Sequence, residues 1–361
     1  MKKNFLLVTG GTGGHVIPAE NFSNYLLKKN INCSIMVDKR GYKYINNYIG
    51  KIHVIKSSNL NGNLIKKFIG VIQLFFGFVK SFFIILSLKP STVISFGSYA
   101  SFSPMLTCII LKQFYKIEIF IHEQNSVLGR TNNFFLNFAN KLFLNFYTTK
   151  NINDKFRNKI HVVGSPEKKV INFINKNNIN FKKNFTIFIY GGSQGSEFIS
   201  KFSLNLIQLI KKEKVIKARF IIQSPASIIK SLTYELDKIE ASINIKEYFY
   251  NIDEILQNTS LIISRAGAGT IRDLINYRIP SILIPLPKAK DNHQFHNASI
   301  ISDHNVGIVI DQKKNEIYKA KNYIYEIYNN AHKLNFFNES FDKIEVKNSN
   351  SLIYNLVINE K

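Results

Sequence analysis

The stretch from Phe5 to Ala19, FLLVTGGTGGHVIPA, constrains this chain more than any other. Phe5, Leu6, Leu7 and Val8 form a short apolar run of the kind needed by a strand covered on both faces, which points to a parallel sheet. The run breaks at Gly10-Gly11-Thr12-Gly13-Gly14, and a helix is expected to resume near Pro18, because proline suits a helix's first turn. A glycine-rich turn between a strand and a helix N-terminus lets backbone N–H groups approach an anion that the helix dipole also favours. The spacing is neither the dinucleotide fingerprint nor the phosphate-loop pattern ending in Gly-Lys-Ser/Thr. The stretch therefore reads as an anion-holding turn outside the standard nucleotide motifs, with a ligand-free tight turn as the alternative.

The opening pattern returns half a chain later. TIFIY from Thr186 leads into Gly191-Gly192-Ser193-Gln194-Gly195-Ser196 and a helical stretch, with Gly191 lying 181 residues after Gly10. A chain of 361 residues fits two domains of ordinary size. The echo therefore predicts two similarly built α/β domains with parallel sheets, the first covering residues 1–163 and the second 164–344. Gly164-Ser165-Pro166 forms the boundary turn, and a closing helix within 345–361 rejoins the first domain. Low-complexity Lys/Asn sequence at 172–184 reads as helix ends and a loop.

Several other strand ends carry polar clusters, the place where open α/β sheets hold their ligands. TVIS (Thr92–Ser95) leads to a second glycine turn, Phe96-Gly97-Ser98-Tyr99-Ala100-Ser101. A strand from Ile117 to Ile121 is expected to end on His122-Glu123-Gln124-Asn125, which reads either as a catalytic group or as a hydrogen-bonded core feature. LIIS (Leu261–Ser264) runs into Arg265-Ala266-Gly267-Ala268-Gly269-Thr270, with a helix expected from about Ile271 and Asp273 in its first turn. Asp273 there either favours the helix dipole or accepts the two hydroxyls of a ribose. SILIP (Ser281–Pro285) precedes Asp291-Asn292-His293-Gln294-Phe295-His296-Asn297-Ala298. That cluster suits sugar hydroxyls, which need donors and acceptors together, or else begins a polar helix.

Composition bears on where such a protein works. Cys33 and Cys108 make no disulfide framework, and only four apolar residues follow Met1-Lys2-Lys3 before the glycines, too few for a secretory segment. A cytosolic protein is expected. The formal net charge is +24, and residues 1–163 carry 21 basic and 5 acidic groups, net +16, against +8 for the remainder. No acidic residue lies between Asp38 and Glu118, while Lys39, Arg40, Lys66, Lys67, Lys80 and six further basic residues do. Such a field attracts nucleic acid or an anionic membrane. Inside it lies Leu64–Leu88, LIKKFIGVIQLFFGFVKSFFIILSL, long enough to cross a bilayer. Lys80 and the glycines at 70 and 77 argue against a span, leaving an interfacial helix, favoured by the flanking lysines, or a helix buried under the sheet. The phenylalanines sit in apolar runs and are not interleaved with lysine and arginine, which argues against nucleic acid.

Taken together, GGTGGH at 10–15, HEQN at 122–125, GGSQG at 191–195, SRAGAGT at 264–270 and HQxxNA at 293–298 match one family in order and spacing over essentially the whole chain. The sequence resembles the bacterial UDP-N-acetylglucosamine (UDP-GlcNAc) transferases that convert lipid I to lipid II in peptidoglycan synthesis. That resemblance implies a GT-B fold of two Rossmann-like domains facing a central cleft. It implies an N-terminal domain for the lipid-linked acceptor and a C-terminal domain for the UDP-GlcNAc donor. His15 matches the family's general base, with His122 and Glu123 as further catalytic candidates. Thr12, Gly13, Gly14, Asn125, Lys168, Ser193, Gln194, Arg265, Gly267, Ala268, Thr270, Asp273, Gln294 and Asn297 are implied at the donor. Gly10, Gly11, Gly97, Ser98 and Tyr99 are implied at the acceptor diphosphate.

The chain departs from the family pattern at three places. Asp273 stands for a usual Glu, Ser98 for the second glycine of Gly-Gly-Tyr, and Gly164-Ser165-Pro166-Glu167-Lys168 for Gly-Asn-Pro-Val-Arg. Lys168 keeps the charge but lacks arginine's planar fork. The chain contains no Asp-x-Asp pair to bridge a metal to a diphosphate, so no metal or other cofactor is expected. The expected reaction is inverting transfer at the cytoplasmic face of the inner membrane. Its partners would be UDP-GlcNAc, lipid I, the anionic membrane surface through Leu64–Leu88, and other cell-wall synthesis proteins, with no nucleic acid. A GT-B diacylglycerol glucosyltransferase and a UDP-sugar epimerase are the rival readings.

Overall fold

Strand β1 (Phe5–Val8) is fully buried because both faces of its sheet are covered. Leu6 and Val8 pack with Ile85, Met105 and Ile119 on one side, while Phe5 and Leu7 pack with Val16, Phe22 and Val357 on the other. This is why the sequence shows a continuous apolar run with no alternation. The computed structural model describes residues 3–58, 63–167, 182, 184–192, 195–213, 216–239, 242–249, 251–314, 316–330, 332–345 and 347–359. It divides into two units, Met1–Val170 with Lys347–Lys361, and Ile171–Val346.

The first unit adds β2 (Cys33–Asp38), β3 (Lys51–Ile55), β4 (Thr92–Ser95), β5 (Glu118–Glu123), β6 (Lys141–Leu144) and β7 (Ile160–Val162). The order is β3-β2-β1-β4-β5-β6-β7, with all pairings parallel. Its helices are α1 (Gly13–Lys28), α2 (Lys39–Tyr42), α3 (Leu64–Leu88), α4 (Phe102–Leu111) and α5 (Arg130–Phe135).

The second unit holds β8 (Thr186–Tyr190), β9 (Arg219–Gln223), β10 (Ser242–Lys246), β11 (Leu261–Ser264), β12 (Ser281–Leu283) and β13 (Gly307–Val309). Their order is β10-β9-β8-β11-β12-β13, again all parallel. Helices α6 (Glu197–Glu213), α7 (Ala226–Asp237), α8 (Ile252–Gln257), α9 (Ala268–Tyr277), α10 (His293–Asp303), α11 (Ile317–Asn329) and α12 (His332–Asp342) belong to it. The last helix, α13 (Ser349–Ile358), returns to the first unit, where Ile353 and Val357 are fully buried beside Phe5 and Phe22. Each sheet reverses its strand order once, between β1 and β4 and between β8 and β11, and ligands of doubly wound folds collect at the carboxyl ends of those strands.

Three element boundaries differ from the sequence reading. Helix α1 begins at Gly13 and carries Pro18 in its second turn, so His15 is a first-turn residue. Pro18 supplies no N–H to the Gly14 carbonyl, a tolerable loss so near the helix start. Strand β5 runs on to Glu123, which makes His122 and Glu123 strand residues. Helix α9 begins at Ala268, so Asp273 falls in its second turn and does not address the helix N-terminus.

Helix α3 is amphipathic in an inverted sense. Its buried residues are Gly70, Gly77, Ser81 and Ile85, mostly small. Phe68, Phe75 and Phe83 are each more than 60% exposed, and Leu64, Ile65, Val71 and Phe76 are exposed with them. The small side chains let the helix lie close to the sheet: a Cβ on Gly77 would stand 2.2 Å from the Lys56 carbonyl oxygen. Because that neighbour is backbone, Gly77→Val should destabilise the protein by about 1–3 kcal/mol. A thermal scan of the variant would show the loss, and an unchanged midpoint would mean that α3 sits further from β3.

Candidate active site

Three segments converge where β1 ends. A Cβ on Gly10 would lie 2.4 Å from the Ala100 Cβ and 2.6 Å from Asp38 Oδ1, so only glycine fits. Asp38, at the end of β2 and buried, accepts from the Gly11 and Gly41 N–H groups at 2.8 and 2.9 Å. Its second oxygen accepts from Arg40 Nε at 3.0 Å and Ser57 Oγ at 3.1 Å. Burial opposes the charge, but the Gly11, Gly41 and Arg40 bonds outweigh it and hold the carboxyl below its usual range. Gly10 and Gly11, expected at the acceptor diphosphate, are thus engaged in close packing and in binding the chain's own carboxylate. Asp38 was missed in the sequence, where its only signal is an acid at the end of a strand beside a glycine turn. The first-turn N–H groups at Gly13 and Gly14 have no acceptor inside α1, and Thr12 caps the helix without a side-chain bond.

His15 stands in that first turn, half-buried, with Nδ1 2.9 Å from the Phe96 carbonyl oxygen and 2.6 Å from Gln124 Oε1. Gln124, directly after β5, turns its amide nitrogen to the His122 carbonyl and to His122 Nδ1, both at 3.0 Å. His122 Nε2 lies 2.9 Å from the Gly164 carbonyl oxygen. The His122 ring is fully buried and stacked on Phe96 at 5.1 Å between centroids. Burial pushes its pKa down to about 4, with the Gly164 bond opposing and the nearby His15 assisting. A buried neutral ring with both nitrogens engaged cannot take a substrate proton, so the structure gives His122 a supporting place.

Glu123 is likewise buried and fully occupied. Oε1 accepts from the Asn125 backbone at 3.0 Å and from its Nδ2 at 3.1 Å; Oε2 accepts from the Gly129 N–H at 2.9 Å and Asn132 Nδ2 at 2.8 Å. Such a carboxylate braces the loop from Asn125 to Asn132. It is not placed as a catalytic base, and Asn125 turns inward to it. Beyond β4, Gly97 adopts φ +81° and Ser98 φ +77°, ψ 159°, with Tyr99 opening a short turn to Ser101.

In the second unit, Gly191 is closely packed, since a Cβ there would stand 2.2 Å from the Ser196 nitrogen. Gly192 (φ +84°) and Gly269 have nothing near their Cβ positions. At Gly269, in the first turn of α9, neither packing nor a positive φ requires glycine, which leaves room for a ligand at that helix end. Gly267 caps α9, and Ala268 and Thr270 complete its first turn, where Thr270 accepts from the Tyr190 hydroxyl at 2.9 Å. Arg265 is buried; it donates to the Ile284 carbonyl at 2.9 Å, to the Pro285 carbonyl at 3.3 Å and to Ser196 Oγ at 3.0 Å. Its guanidinium therefore ties three loops together, where the family resemblance implied a donor-binding residue. Asn297 is fully buried and donates to the Ala266 carbonyl at 3.1 Å, and Gln294 accepts from the Leu286 N–H at 2.9 Å. Both hold the strand-end loops from the first turns of α10. Asp273 accepts from Arg272 at 3.0 and 2.6 Å, both bonds on Oδ1, and burial holds its carboxyl above the usual range. Lys168, Ser193, Gln194 and most of the stretch 172–184 lie outside the described residues. Among the described residues, no group of three or more His, Cys, Asp or Glu side chains comes together to hold a metal.

Residues 5–144 match the glycosyltransferase family 28 N-terminal domain, and residues 186–350 match the family 28 C-terminal domain. A Rickettsia canadensis protein named UDP-N-acetylglucosamine–N-acetylmuramyl-(pentapeptide) pyrophosphoryl-undecaprenol N-acetylglucosamine transferase is 34% identical over 333 residues, 91% of this chain and 92% of its own. The chain belongs to glycosyltransferase family 28. A Rickettsia rickettsii protein of the same name is 31% identical over 98% of this chain and 99% of its own. A crystal structure of Acinetobacter baumannii MurG superposes with a TM-score of 0.77, covering 98% of both chains at 20% identity. Staphylococcus aureus MnaA in complex with UDP gives 0.68, covering 98% of this chain and 96% of that one at 12% identity. These structures establish the GT-B fold.

Within this family member, Ser98 is strained. A φ of +77° with ψ 159° is a region open in practice to glycine alone. Ser98→Gly should relieve about 1 kcal/mol, raising the thermal midpoint by roughly 2–4 °C for a domain of this size. An unchanged or lowered midpoint would show that the Ser98 hydroxyl compensates for the strain.

Proposed function

We infer that this chain transfers N-acetylglucosamine from UDP-GlcNAc to the 4-hydroxyl of the muramoyl sugar of lipid I, giving lipid II and UDP. The observation that carries the reading is the pair of 34% and 31% identical relatives that bear this activity in their names and align over nearly the whole chain. The order of the five motifs supports it. A diacylglycerol glucosyltransferase would share the fold but is not expected to share HEQN together with HQxxNA, and a UDP-sugar epimerase would share the fold and need no lipid.

The acceptor O4 attacks the anomeric carbon on the face opposite UDP. As the new C–O bond forms and the bond to UDP breaks, His15 Nε2 takes the hydroxyl proton. The negative charge growing on the UDP diphosphate is met by first-turn N–H groups of α9 and by the Gly192 turn, an arrangement of fixed dipoles that needs no reorganisation. Arg265 and Asn297 act by holding those loops. Arg272 occupies Asp273 Oδ1, and Oδ2 is left to accept the ribose hydroxyls. No metal is assigned a role. Ser193, Gln194 and Lys168 keep the donor roles that the family resemblance gives them.

The decisive measurement is transfer of labelled GlcNAc from UDP-GlcNAc to a lipid I analogue in the presence of EDTA. Product is expected, and binding of UDP-GlcNAc without product would leave the fold standing and overturn the acceptor or the metal independence. His15→Ala should abolish turnover and leave UDP binding intact; turnover at the parent rate would remove His15 from the mechanism.

The acceptor's lipid requires the enzyme to work at a bilayer surface. Helix α3 supports this, because its large apolar side chains face outward and Lys66, Lys67 and Lys80 are exposed beside them. We place the enzyme on the anionic cytoplasmic face of the membrane through this helix. It should co-sediment with vesicles containing anionic lipid, and the triple variant Lys66→Glu, Lys67→Glu, Lys80→Glu should be released, since each surface cation contributes about 1 kcal/mol. Unchanged sedimentation of the variant would exclude α3 as the docking element.

A further inference from the structure

We propose that Gln124 and His122 are positioning residues that lock His15 in the tautomer carrying its proton on Nδ1, so that Nε2 holds the lone pair. The clause that makes His15 the base rests on the function proposed above. The protonation pattern itself does not.

The pattern follows from three backbone carbonyls, which can only accept. The Gly164 carbonyl, 2.9 Å from His122 Nε2, requires a proton on that nitrogen. His122 is neutral in its fully buried site, so its Nδ1 has a lone pair and must accept. The His122 carbonyl fixes the Gln124 amide in turn: the group 3.0 Å from it must be the NH2, which also donates to His122 Nδ1. Gln124 Oε1 is then the atom 2.6 Å from His15 Nδ1, and the Phe96 carbonyl stands 2.9 Å from the same nitrogen. Two acceptors on one nitrogen place the proton there. Every donor in the chain Gly164, His122, Gln124, His15 points the same way, and reversing any one of them would set two acceptors or two donors against each other.

Burial makes the lock rigid. Gln124 is 1% exposed and His122 is 0% exposed, so water cannot substitute for either partner. The HEQN motif thus contributes through its glutamine and histidine together: the amide reaches His15 across 109 residues of sequence, and the imidazole holds that amide in place.

The test is nitrogen-detected NMR of the full-length enzyme labelled with 15N-histidine, assigned with His15→Ala and His122→Phe. At neutral pH the wild type should show His15 protonated on Nδ1 and His122 protonated on Nε2, opposite tautomers in one protein. His15 protonated on Nε2 would overturn the proposal without recourse to any variant. Gln124→Met keeps the volume and removes all three side-chain hydrogen bonds, to His15 Nδ1, His122 Nδ1 and the His122 carbonyl. With only the Phe96 carbonyl remaining of the two acceptors at His15 Nδ1, it should raise the Nε2-protonated fraction of His15 and lower kcat about 10²-fold, with the KM for UDP-GlcNAc within twofold of the parent. Unchanged nitrogen shifts and unchanged kcat in Gln124→Met would also overturn it. If His15 shows the Nδ1-protonated tautomer but His15→Ala turns over normally, the positioning stands and the base assignment falls.

Discussion

The first unit depends on how closely three chain segments meet at Gly10. Strand β1 ends there between Ala100, which follows β4, and Asp38, which closes β2, with no room for a single added carbon. That closeness is a consequence of the parallel sheet, because β1 lies between β2 and β4 and all three strands deliver their exits to the same edge. Once the exits are this near, their backbone N–H groups need acceptors, and the Asp38 carboxylate supplies them to Gly11 and Gly41. The start of α1, and with it His15, is fixed by this packing before any ligand arrives.

Two buried carboxylates do equivalent work along this edge, on either side of β1 and β4. Asp38 and Glu123 each terminate a strand, each is nearly inaccessible, and each accepts four hydrogen bonds. A carboxylate with both oxygens so occupied is unsuited to moving protons, while losing one partner would leave a buried group unpaired at a cost of about 1–3 kcal/mol. His15 differs from both in being half-buried and in having a ring nitrogen outside the hydrogen-bonded chain. The contrast separates groups that hold the site from the group that can act in it.

The alternation of apolar runs, glycine turns and helices was legible in the sequence, and so was the repetition of β1 with its turn 181 residues later as β8, because each depends on local pattern. The residues that cluster at the strand ends were legible too. Their division of labour was not. Arg265 and Asn297 look like ligands in a linear motif, but they lie across loops whose carbonyls point inward, and only the fold reveals that Ile284 and Ala266 are their acceptors. Asp38 was invisible for the converse reason: a lone acid at the end of a strand carries no motif, and its partners come from the turn after β1, from α2 and from the stretch beyond β3. Helix boundaries were displaced at α1 and α9 because glycines in a first turn read as loop, although a helix start needs only acceptable dihedral angles.

Helix α3 shows how a composition bias can conceal a designed surface. Lysine, asparagine and phenylalanine are abundant throughout, so neither the charge nor the aromatic content of this segment is distinctive by itself. Orientation makes the difference. A helix covering a soluble core turns its large apolar side chains inward, and drift in composition would fill buried and exposed positions alike. Here glycine and serine take three of the four buried positions, with Ile85 the fourth, while phenylalanine, isoleucine and leucine take most of the exposed ones. The small inward side chains hold the helix against β3 at Lys56, and this fixes the direction of the apolar face. Close packing inside the unit and an apolar face outside it are thus two consequences of one distribution of side-chain size.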